Sequence, residues 1–109
     1  MSIKLETLSA TSSLASLEGD IRSFEARGFE LITLASGVVG GLPSNTMALR
    51  RLGIGNRPGP LTLTEVDPAL DIAGQETKVN DQETGAKKLI SYAAVFVNGN
   101  PTNVGAYRG

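Results

Sequence analysis

The residues with the clearest capacity for chemistry lie between positions 36 and 57. Ser36, Gly37, Gly40, Gly41, Ser44 and Asn45 precede Arg50, Arg51 and Arg57, and no acidic residue occurs from 31 to 64. A glycine-rich loop exposes backbone N–H groups, and a helix starting near Asn45 would aim more of them at an anion. Arginine can then grip phosphate or carboxylate in a two-pronged fork. These residues form the candidate ligand-binding set, for a phosphate, nucleotide or carboxylate. They match no specific phosphate loop. No lysine follows the glycines as a Walker loop requires, and Pro58 stands where a dinucleotide fingerprint beginning at Gly53 and Gly55 needs glycine. The plainer reading is a loop whose arginines pair with nearby acids.

Other groups offer less. Glu65, Asp67 and Asp71 come close together, but the calcium-loop pattern of glycine and terminal glutamate is absent, so a solvated turn is expected. Cysteine and histidine are both missing. That excludes disulfides, thiol redox chemistry, zinc sites with N or S ligands and every triad built on His or Cys. General acid–base work would fall to Asp, Glu, Lys or Tyr. Tyr92 lies in an apolar run and reads as core with its hydroxyl at the rim. Tyr107 falls in a polar tail. No nucleophile has a base beside it, so the chain is read as non-enzymatic, with no catalytic residue, no metal site and no cofactor.

The elements that would position these groups follow from periodicity. Residues 3–8 alternate and suit a half-buried strand. At 13–27, Leu14, Leu17, Ile21 and Phe24 recur at spacings of three, four and three, one stripe of an amphipathic helix closed by Gly28. Residues 29–35 are apolar on both faces and read as a strand. The Gly-rich stretch 36–60 reads as a hairpin or irregular loop with 46–52 returning, against the alternative of a short helix over 45–52. Residues 61–66 alternate as a strand that Asp67-Pro68 ends. The polar run 75–88 reads as a loop or exposed hairpin tip. Residues 89–97 give the strongest strand, followed by the Asn98-Gly99 turn signal. Pro101 and Gly105 confine 98–109 to an edge strand or an extended arm. No internal repeat is evident. The expectation is one α+β domain over 1–109, a small, mostly antiparallel sheet of four to five strands with one main amphipathic helix on one face.

The chain has 109 residues, with 11 acids against 10 bases, for a net charge of −1. That balance argues against general nucleic-acid binding, which needs a positive surplus. The start, Met-Ser-Ile-Lys-Leu-Glu, has no apolar block and does not read as a signal peptide. The uncharged runs 31–49 and 89–107 are broken by Gly, Pro and Asn and make poor membrane spans. A soluble protein is expected, cytoplasmic or in a virion by default. One helix covers only one face of a sheet, and the strands at 29–35 and 89–97 are apolar on both. A neighbouring copy of the chain is the economical cover. In composition the chain resembles small viral shell and decoration proteins: small, near neutral, free of Cys and His, rich in glycine, with extended arms. That resemblance and the two-faced strands imply a homo-oligomeric structural unit. The alternative is a binder of a small anionic ligand through the 36–57 residues.

Overall fold

The computed structural model describes residues 2–53 and 55–109; Ile54, inside the Gly-rich stretch, lies outside them. The protein is α+β, with two antiparallel three-stranded sheets and two helices. Six strands replace the expected four to five, and a second helix joins the one expected. In chain order the elements are β1 (Ile3–Leu8), α1 (Leu14–Ala26), β2 (Phe29–Val39), β3 (Leu42–Arg51), β4 (Leu61–Val66), α2 (Ile72–Gln82), β5 (Lys88–Val97) and β6 (Asn100–Arg108). The sheets run in the orders β1-β3-β2 and β4-β6-β5.

That order is the same strand–helix–strand–strand unit laid down twice, at a constant offset of 58 residues. Ile3–Leu8 becomes Leu61–Val66, and β3 starting at Leu42 becomes β6 starting at Asn100. The bulge between Leu31 and Thr33 recurs between Leu89 and Ser91. Equivalent positions often keep their residue: Leu5 and Leu63, Glu25 and Glu83, Pro43 and Pro101, Asn45 and Asn103, Arg50 and Arg108. The chain thus contains an internal repeat that no contiguous motif announces, because identities are scattered singly among strand positions.

Both helices start on a side-chain cap. Ser13 accepts from the Ser16 amide, and at the equivalent position Asp71 accepts from Gly74 at 2.8 Å. The segment expected as a loop at 75–88 is therefore mostly helix. Its apolar stripe is hard to see because Gln75 stands where Leu17 stands in the first unit; its amide oxygen accepts the Tyr92 hydroxyl at 2.6 Å.

The C-terminal segment is not an arm or an edge. β6 is the central strand of its sheet, with Val104, Gly105, Ala106 and Tyr107 buried. Pro101 is tolerated because pairing with β4 begins only at Asn103, so its missing N–H faces no neighbouring strand. Gly105 leaves room for Tyr107, whose ring atoms lie 2.9 Å from where a Cβ would stand. In the first unit the same two positions are Met47 and Leu49, so bulk has moved from one residue to the next but one.

The core draws Leu17, Ile21, Leu31, Leu34, Met47 and Leu49 from the first unit and Leu61, Leu63, Val95, Val104 and Ala106 from the second. Side chains join the sheets where β2 and β5 meet. The Ser91 hydroxyl lies 3.3 Å from the Leu34 amide and 3.4 Å from its carbonyl. Asn45, fully buried, donates to the Phe96 carbonyl at 2.8 Å and accepts from the Phe96 amide at 2.7 Å. At this seam the facing edges, β2 and β5, are each met by a polar side chain of the other unit, in place of a backbone ladder.

Candidate functional site

The sequence candidates do not converge. Ser36, Gly37, Gly40 and Gly41 lie on the outer half of β2 and its turn, and Ser44 and Asn45 begin β3. Gly40 and Gly41 adopt positive φ, as a two-residue hairpin turn demands. Arg50 and Arg51 end β3, about 30 Å away along a strand rising about 3.3 Å per residue. Residues 36–51 therefore form the returning hairpin, not a loop or a helix, and no helix terminus faces an anion there. Asn45 spends its amide inside the fold. Ser44 donates to the Leu8 carbonyl.

The arginine half has a site of its own at the far end. Arg51 and Arg57 line a pocket of about 310 Å³ with Arg27, Gly28, Gly53, Gly55 and Asn56. No carboxylate lines it among the described residues. Arg27 stacks over Phe24 at 4.2 Å and Arg51 over Phe29 at 4.8 Å. The two rings meet edge to face at 6.4 Å. This stacking limits the motion of both guanidinium planes while leaving their edges free to donate. Arg57 also borders a second pocket of about 240 Å³ with Arg22, Glu25 and Gly59. Arg50 is exposed on the other face of β3. Arg27, the C-cap of α1, is not among the sequence candidates, because no local motif links it to residues 36–57. Leu52, Gly53, Gly55, Asn56 and Arg57, placed beside that end of α1, bring it to the pocket.

Elsewhere Glu25, Glu83, Asp67 and Asp71 make hydrogen bonds within the fold. Glu25, though buried, accepts two Arg108 donors and the Leu31 amide. At the equivalent place Glu83 accepts the Leu89 amide at 2.7 Å. Asp67 accepts from Ala69 in a turn, and Asp71 caps α2. Burial raises the Tyr92 pKa, the direction opposite to what a general base at neutral pH requires. No cluster of acidic residues that could hold a metal ion occurs among the described residues.

A third concavity, about 490 Å³, lies on the outer face of the β1-β3-β2 sheet. Leu5, Glu6, Thr7, Thr33, Val38, Val39, Thr46, Met47 and Ala48 line it, so among the described residues only β1, β2 and β3 border it. Leu5, Val38 and Leu42 are 75%, 74% and 69% exposed. No helix among the described residues is long and apolar enough to cross a membrane. Comparison of the chain with protein-family models, with curated proteins and with solved structures finds no match.

Proposed function

We propose that this protein is a non-enzymatic structural unit that works by assembling with copies of itself, as a small viral shell or decoration protein does. The observation that carries this reading is the uncovered outer face of the β1-β3-β2 sheet, with Ile3, Leu5, Val39 and Leu42 among its exposed side chains. Contiguous apolar surface of this kind favours burial at about 25 cal/mol per Å². Among the described residues the opposite face of this sheet buries Leu31, Leu34, Met47 and Leu49, and nothing outside the sheet borders this one. Sedimentation velocity over a concentration series tests the reading. A discrete oligomer that dissociates on dilution is expected. A monodisperse 11.3-kDa species at several hundred micromolar overturns it.

The arginine pocket supports a second reading, capture of a small phosphate-bearing or carboxylate ligand. Three arginines, with no lining carboxylate among the described residues, form a cationic site. Titration with inorganic phosphate is expected to give saturable binding that weakens at least tenfold in the Arg51→Ala/Arg57→Ala variant. Absence of saturable binding to the unmodified protein counts against it.

A further inference from the structure

We propose that α2 of one copy docks on the free edge of β1 of a second copy, reproducing between chains a contact that α1 and β4 already make within one. The proposal rests on the assembly reading and specifies its contact. The internal repeat supplies the argument. Within the chain, one face of α1 seals the outer edge of β4. Glu18 accepts the Leu63 amide at 2.9 Å, Arg22 donates to the Leu61 carbonyl at 2.8 Å, and Glu25 binds Arg108 at the neighbouring strand end. Shifting each partner by one repeat defines a second contact. Glu76 would meet the Leu5 amide, Asn80 the Ile3 carbonyl, and Glu83 the Arg50 guanidinium.

Both halves of that second contact are present, and they are apart. The register of β1 shows that its edge is open. Ser2 bonds Arg51 on β3, so Ile3, Leu5 and Thr7 alternate away from β3 and turn their N–H and C=O groups outward. No hydrogen bond reaches those groups among the described residues. β4 shows the same parity, with Leu63 turned outward and capped by Glu18. The α2 face is open as well. Glu76 and Asn80 are exposed, and α2 buries no residue fully, whereas α1 buries Leu17, Ile21 and Glu25. Glu83 holds the Leu89 amide with one oxygen, as Glu25 holds that of Leu31, which leaves the other oxygen free for an arginine.

Charge fits the same pairing. Arg50 flanks the β1 edge, where Lys4 is already paired with Glu6 at 2.9 Å, and Glu76 and Glu83 flank the α2 face. A bare strand edge recruits another chain unless it is capped. The cap found on β4 is a helix of this sequence, and its repeat equivalent is the helix left without a strand edge. A second copy is therefore the occupant that matches in backbone parity, side-chain chemistry and charge. Because the two surfaces differ, the contact is head-to-tail.

That asymmetry gives the test. Glu76→Lys disables the helix face, and Arg50→Glu disables the strand edge. Both residues are exposed, so unchanged far-ultraviolet circular dichroism and a cooperative melt will show that the variants fold. Each variant alone is expected to self-associate at least tenfold more weakly than the unmodified protein. An equimolar mixture retains one intact helix face and one intact edge on different chains, and is expected to form a heterodimer visible by native mass spectrometry. A mixture that associates no better than its components overturns the pairing. So do single variants that assemble like the unmodified protein, in which case the assembly reading stands with a different contact. An unmodified protein that is monomeric throughout removes both.

Discussion

Glu25→Ala should come close to unfolding the protein. The Glu25 side chain is 7% exposed and that of Arg108 15%. The carboxylate accepts from both terminal nitrogens of Arg108, at 3.0 and 2.5 Å, and from the Leu31 amide at 2.9 Å. Truncation leaves a desolvated guanidinium with, among the described residues, the Gly59 carbonyl for a partner, and orphans a buried amide. Breaking a buried pair from one side costs about 3–5 kcal/mol, and the orphaned amide adds about 1–3 kcal/mol. A domain of this size is stable by about 5–15 kcal/mol. Glu83→Ala is the internal control, since its carboxylate holds only the equivalent Leu89 amide within the chain. It should cost about 1–3 kcal/mol. Urea midpoints compare the two, and equal losses would show that Arg108 contributes nothing through Glu25. Glu25→Gln should fall between them, because it keeps an acceptor for Leu31 while losing the charge.

The first unit was largely legible because each signal was local. The leucine–isoleucine stripe, its closing Gly28 and the alternation of 3–8 marked α1 and β1. The same elements recur in the second unit in weaker dress. Gln75 interrupts the stripe of α2, and Pro101 disqualified β6 from a sheet centre by a rule that holds only where both neighbouring strands are present. The repeat itself left a trace that periodicity does not measure. The two uncharged runs, 31–49 and 89–107, are of equal length and stand one repeat apart. Each spans the hairpin that carries the central strand of a sheet, and the charges of those strands, Arg50, Arg51 and Arg108, come at their ends. The candidate site was half legible. Arg51 and Arg57 do line a cationic pocket, but the glycines serve a turn at the opposite end of the hairpin. Sequence proximity between residues 41 and 50 becomes distance once the intervening residues are a strand.

Asn45 shows most sharply how a residue suited to ligand binding is consumed by the fold. Its carboxamide presents a donor and an acceptor side by side, as a backbone amide pair does, and it meets Phe96 in that way. Phe96 pairs with Pro101 on β6, which leaves the Phe96 N–H and C=O directed at the sheet's free edge. Asn45→Leu fills similar volume and removes both partners at once. Two buried backbone groups then go unsatisfied, for about 2–6 kcal/mol in all. The Ser9 carbonyl, which the same amide touches at 3.4 Å, loses a weaker contact. Asn103 is the matched control. It is half-buried, and its hydrogen bond is to the Gln75 side chain at 3.3 Å, so Asn103→Leu should cost no more than about 1 kcal/mol. Amide hydrogen exchange separates the mechanism from general destabilisation. In Asn45→Leu the Phe96 amide should lose more protection than the Val95 and Val97 amides, which face β6. Equal losses at all three would mean that the asparagine only fills space, and that the sheets are held together by the core beneath it.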